Sequence, residues 1–158
     1  MFVTVKFQNF KSLRDFTIRL RDMNVLVGPN NAGKSTILDA FRILTVAHRF
    51  ASRRVASPLQ VNDQAIVGYD IPIAQIPISL ANIHYDYEAD RETSITFSLE
   101  NANELKLSFY NNSRCILTID AQQRTVNTQQ FKRNFPISIY SIPTLGPLEE
   151  EEEGTTHR

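Results

Sequence analysis

Apolar and polar residues alternate along the start of the chain. Val3, Val5 and Phe7 are interleaved with Thr4, Lys6 and Gln8, and Phe16, Ile18 and Leu20 with Thr17, Arg19 and Arg21. A period of two puts each set on one face of a strand, so two half-buried strands are predicted, joined by residues 9–15. Asn24–Val27 is instead a short continuous apolar run, which suits a buried strand. The period then lengthens. Ile37, Phe41, Leu44, Val46 and Ala47 build one stripe at helical spacing, with no Gly or Pro between Gly33 and Pro58. A helix from Gly33 to about His48 follows, and the first 50 residues read β–β–β–loop–α.

Residues 51–77 are punctuated by Pro58, Gly68, Pro72 and Pro77 and read as a loop or insertion. Period-two segments return at Ile78 and Leu80, at Ile95, Phe97 and Leu99, at Leu105, Leu107 and Phe109, and at Cys115, Leu117 and Ile119. Asn101-Ala102-Asn103 and Asn111-Asn112-Ser113 lie between them as turn chemistry, so residues 78–120 are expected to form an antiparallel meander in a layer beside the first strands. Residues 122–134 are polar with room for a short helix. A last strand is expected over Ile137–Ile142, near the phosphate loop, and Pro143 stops it.

Between the third strand and the helix stands Gly28-Pro29-Asn30-Asn31-Ala32-Gly33-Lys34-Ser35, a complete G-x-x-x-x-G-K-S. The order is chemical. Glycines let the backbone curl so that its N–H groups point at phosphate oxygens. The lysine reaches the β- and γ-phosphates, and the serine hydroxyl serves Mg²⁺. The helix that follows turns its positive end toward the same anion.

Composition adds little that is specific. Of 158 residues, 42% are hydrophobic and 22% charged, an ordinary globular balance. Formal net charge is zero, but unevenly spread. The run Glu149–Glu153 takes five of the 17 acidic residues and Arg158 one of the 17 basic ones, so residues 1–148 carry 12 acids against 16 bases. That mild excess does not by itself indicate nucleic acid. The single cysteine, Cys115, excludes an internal disulfide and reads as a small buried hydrophobe. The start has no signal-peptide pattern and no run reaches the ~18 apolar residues of a membrane helix, so a cytoplasmic protein is expected.

With Asn9-Phe10-Lys11-Ser12 in the first connection and the phosphate loop after a short apolar run, the opening resembles the N-terminal lobe of ABC-type ATPases of the RecF, SMC and OLD-nuclease kind. The resemblance is strong over residues 1–50 and weaker beyond. It implies an α/β fold: a P-loop NTPase lobe of ABC type with a mixed core sheet, one long helix after the phosphate loop and an antiparallel β meander. It implies ATP and Mg²⁺ as cofactors, with Lys34 on the β- and γ-phosphates and Ser35 as the metal ligand. Asn30, Asn31, Ala32, Gly33 and Thr36 would complete the phosphate cradle, and Lys11 and Ser12 would lie beside the α-phosphate and nucleoside. The implied partner is a second ATPase lobe or a second copy of the chain, with DNA reached through the assembled complex in repair, chromosome maintenance or phage defence. Residues 1–148 would be the ATP-binding lobe, and residues 149–158 an acidic tail or the start of a second half.

Two elements of a complete ATPase of that kind are not in this sequence: an S-G-G signature segment, and an apolar strand ending in Asp-Glu that holds Mg²⁺ and polarises water. The nearest approach, Cys115–Asp120, is broken by Thr118 and followed by Ala121, so Asp120 reads as a strand end. An N-terminal piece of a longer protein, or a naturally short one, is expected. A non-hydrolysing nucleotide-sensing module and a small P-loop kinase remain as alternatives. Glu149–Glu153 read as a solvated tail with metal ligation as the alternative. His48, Arg49, Phe50, Arg53 and Arg54 form a basic cluster, explained either by the helix dipole or by contact with a nucleic-acid backbone.

Overall fold

The computed structural model describes residues 1–29, 32–87, 91–111 and 113–140. Seven strands form one sheet: β1 (Phe2–Phe10), β2 (Leu13–Arg19), β3 (Ser57–Val61), β4 (Gln64–Ile71), β5 (Thr93–Leu99), β6 (Glu104–Tyr110) and β7 (Arg114–Asp120). Their order is β2-β1-β5-β6-β7-β4-β3, and every pairing is antiparallel. Among the described residues, two α-helices, α1 (Lys34–Ala51) and α2 (Thr128–Asn134), and two 3-10 turns accompany the sheet.

The register explains why the alternating segments behave as they do. Phe7, Ile95, Leu107, Leu117 and Tyr69 stand opposite one another in a row across five strands. All five are buried. One position along, Lys6, Thr96, Lys106 and Thr118 make a polar row on the other face. The apolar face receives α1, whose Ala40, Ile43, Leu44 and Ala47 are fully buried. Phe41, only partly buried, packs its ring on Phe2 and Phe97 at 5.9 and 5.5 Å. Phe131 of α2 lies against Tyr69 and His48, closing the other end of the same layer.

Several expectations are corrected. The sheet is antiparallel throughout, not mixed, and the meander is not a separate layer: β5 pairs directly with β1. Residues 51–77 are no loop, since they contain β3 and β4. Pro58 is compatible with a strand because β3 is the sheet's outer edge, where a missing N–H costs nothing. Gly68 is there because a Cβ would stand 2.8 Å from the Leu117 carbonyl oxygen on the adjacent strand. Asn62 and Asp63, at φ 46° and 61°, make the left-handed two-residue turn between them. Ile78 and Leu80 start no strand, and a 3-10 turn at Ile73–Gln75 precedes them.

Asn24–Val27 is no strand either. It lies outside the sheet, with Val25 71% and Val27 87% exposed. Residues 137–140 are irregular, and 141–142 fall outside the described residues. That segment leaves from Phe135 beside His48, near the C-terminal end of α1, with Ile137 and Ile139 against the core. It does not start at the phosphate loop.

Candidate functional site

The phosphate loop is built by backbone conformation. Gly33, buried, caps α1 in the left-handed region at φ 78°. A Cβ there would meet Leu13 Cδ2 at 3.2 Å and Ser12 Oγ at 3.5 Å, so the glycine is required by strain and by space. Gly28 has φ 154°, and its missing Cβ lets the chain approach Ala32. The Ala32 N–H donates to the Pro29 carbonyl at 3.1 Å, which closes the loop on itself. No side chain caps the helix and its first turn holds no acid, so the N–H groups of the first turn and the positive end of the dipole are available to an anion. Lys34 arches over the loop and donates to the carbonyls of Gly28 and Pro29. Ser35 is exposed beside it. Asn30 and Asn31 lie outside the described residues.

These groups fit a triphosphate with Mg²⁺: N–H donors and an ammonium for the anion, and one hydroxyl for the cation. Among the described residues no three His, Cys, Asp or Glu gather as a metal cluster. Of the described loop residues, the exposed Ser35 hydroxyl is the group that would hold Mg²⁺ together with phosphate oxygens.

The turn between β1 and β2 holds this loop from the side. Lys11 is left-handed at φ 50°, and its N–H donates to the Ile83 carbonyl at 2.7 Å. Its ammonium reaches Asp39 Oδ2 at 2.7 Å, while Asp39 Oδ1 takes Arg42 at 3.0 Å. Ser12 Oγ and Thr36 Oγ1 are 2.9 Å apart. Two neighbouring turn residues thus grip two positions of α1 one turn apart, next to Gly33. Lys11 and Ser12 stand beside the Gly33 end of the loop.

Lys11 and Ser12 also line a cleft of about 550 Å³ with Ser79, Asn82, His84 and Asp86. His84 forms a bridge with Phe10 and is 5% exposed. Its Nδ1 lies 2.6 Å from Thr93 Oγ1. Burial lowers the His84 pKa from the ordinary imidazole value. His48 is lowered for the same reason, against an opposing hydrogen bond to the Phe135 carbonyl. Asp39, Asn82 and Thr93 were not singled out by sequence reasoning. A carboxylate set among the apolar positions of α1 was the available signal for Asp39.

The other candidates fall elsewhere. Arg49, Phe50, Arg53, Arg54 and Gln75 line a separate cleft of about 380 Å³ at the C-terminal end of α1, with the Arg54 guanidinium 4.5 Å from the Phe50 ring centre. Asp120 ends β7 opposite Glu104, as a strand end should. Cys115 is fully buried, and its burial, with Asp70 nearby, pushes the thiol pKa well up, so it is an inert hydrophobe. Glu149–Glu153 and His157 lie outside the described residues. No described helix is long and apolar enough to cross a membrane.

A glycine-capped phosphate loop opening a long helix, steadied by a neighbouring hairpin turn, defines a nucleotide-binding P-loop protein. The model of the AAA ATPase domain family matches residues 1–126, and the chain belongs to that family. Membership makes it a nucleotide-binding ATPase domain and implies use of ATP, typically with Mg²⁺. No curated protein matches the chain.

Proposed function

We propose that this chain is the nucleotide-holding lobe of an ABC-type ATPase of the RecF, SMC and OLD-nuclease kind. Lys34 engages the β- and γ-phosphates, Ser35 binds Mg²⁺, and Asn30 to Thr36 supply the cradle. The observation that carries the reading is the grip of Lys11 and Ser12 on Asp39 and Thr36, which presses an Asn-Phe-Lys-Ser turn against the buried Gly33. A second ATPase lobe, from a longer chain or a second copy, supplies the groups that orient water. The exposed Val25 and Val27 beside the loop support that view, since a partner's surface would cover them. DNA is met by the assembled complex. Arg49, Arg53 and Arg54 favour such contact because none has a carboxylate partner among the described residues.

The test is a titration of a fluorescent ATP analogue with Mg²⁺ against wild type and Lys34→Ala. Loss of an ammonium on phosphate removes about 3 kcal/mol, on the order of a hundredfold in affinity, with the melting temperature unchanged. Equal affinities would sink the assignment. Phosphate release by the chain alone should stay well below the ~1 s⁻¹ of typical enzymes, and a faster rate abolished by Lys34→Ala would show that the chain carries its own catalytic acid.

A further inference from the structure

The cleft at the Lys11–Ser12 turn is lined by polar residues, of which Ser79, Asn82, His84 and Asp86 have no role in the phosphate loop. It shares that turn with the phosphate loop, so a group held in it is joined to an anion at Gly33 by a short bridge. The lining is not a generic polar surface. His84 lies at its base, buried, and Nε2 has no hydrogen-bond partner among the described residues. A buried polar atom left this way is costly unless a ligand completes it.

The surrounding network assigns the character of that atom. The Thr93 hydroxyl donates to the Asn9 carbonyl at 3.2 Å. Its oxygen accepts from the Asn9 side-chain amide at 3.0 Å. What Thr93 Oγ1 still offers is one lone pair, and His84 Nδ1 stands 2.6 Å away. With the Thr93 proton assigned to the Asn9 carbonyl, the imidazole proton falls on Nδ1 and Nε2 is left a bare acceptor. The lowered pKa of His84 agrees, because it keeps the ring neutral near pH 7. Asp86, at the rim of the same cleft, adds a carboxylate acceptor.

The family resemblance puts the nucleoside beside Lys11 and Ser12, and we infer that in the cleft they line His84 Nε2 reads a hydrogen-bond donor on that nucleoside. This rests on the proposed phosphate loop. Two groups of a nucleoside have that chemistry, the amino group of the base and the sugar hydroxyls. His84 is a specificity residue here, and it contributes nothing to phosphate contact.

The experiment measures Mg²⁺-dependent binding of four probes: ATP, purine riboside triphosphate (no amino group), 2′-deoxy-ATP and 3′-deoxy-ATP. Inorganic tripolyphosphate is the reference. Wild type is expected to bind ATP about tenfold tighter than the one analogue that lacks the donor read by His84, the size of one hydrogen bond. Which analogue loses affinity tells the base from the sugar. His84→Asn keeps a donor at the position of Nδ1 for Thr93 but removes Nε2, and should bind ATP and that analogue equally. His84→Gln returns a polar atom to the position of Nε2 and should restore part of the preference. Thermal unfolding of each variant checks the fold, and the analogue series on wild type stands even if a variant fails to fold. Equal binding of all four probes by wild type, a preference that persists in His84→Asn, or tripolyphosphate binding as tight as ATP overturns the inference while the phosphate loop stands. No binding of any probe overturns both.

Discussion

Two stretches lead to the phosphate loop, one on either side of β2, and they meet opposite fates. Val5, Phe7 and Phe10 of β1 are fully buried between β2 and β5. Met23, Val25 and Val27 are 71–87% exposed. Both segments are rich in apolar residues, and the apolar pattern predicts a strand for each. The difference is the ladder. β1 has a partner on each side, so its backbone groups are paired and one face is covered by α1. Among the described residues no ladder includes Asn24–Val27. Apolar side chains make a strand favourable only where another strand takes up its backbone hydrogen bonds. The exposed segment leads into the phosphate loop, whose Gly33 end is held with α1 by the other stretch.

This comparison makes testable claims about stability. Phe7→Ala, at the centre of the paired stretch, should cost ~3–5 kcal/mol by cavity formation, seen as a lower denaturant midpoint. Asp39→Ala should cost ~1–3 kcal/mol, because it frees Lys11 and Arg42 and leaves the turn without its tether. It should also weaken nucleotide binding, and unchanged stability would mean that the tether carries no load. Gly33→Ala should cost ~1–2 kcal/mol for the left-handed backbone, plus the push against Leu13. It should damage nucleotide binding more than stability.

A pH titration separates the regions further. His84 and His48 have folded pKa values lowered by burial, so the unfolded chain binds more protons as acidity rises. Their contribution to stability is present above the ordinary histidine value of about 6.5 and is lost as pH falls below it. Hydrogen exchange should show β1 and its turn loosening over that range, whereas residues 21–29 contain no histidine and should not respond. The smallest effect is reserved for Val27→Asp, expected within ~0.5 kcal/mol of wild type. A loss near that of Phe7→Ala would mean that the exposed stretch is covered in solution.

Legibility in the sequence followed the same division. Local periodicity identified β1, β2, β5, β6, β7 and α1, because each has a partner that enforces its period. It also placed the turn at Asn101–Asn103, where Ala102 is left-handed at φ 61°. It missed β3 and β4, where Pro58 and Gly68 looked like breakers. Both are allowed by position in the sheet, an edge for one and a close strand approach for the other, and neither position is written locally. The Asn62-Asp63 pair, flanked by Leu59, Val61 and Ile66, was the overlooked hairpin signal.

What the sequence determined by itself was the loop chemistry. Gly28, Gly33, Lys34 and Ser35 are contiguous, and contiguous residues keep their spacing in any fold. The tertiary structure decided the sheet order, the all-antiparallel pairing and the contacts that reach across the chain: Lys11 to Asp39, Ser12 to Thr36, and His84 to Thr93 and Phe10. Those pairs are up to 74 residues apart, as Phe10 and His84 are. Residues so separated meet only when strand register is set, and register is fixed by the summed burial of the whole apolar face rather than by any one segment.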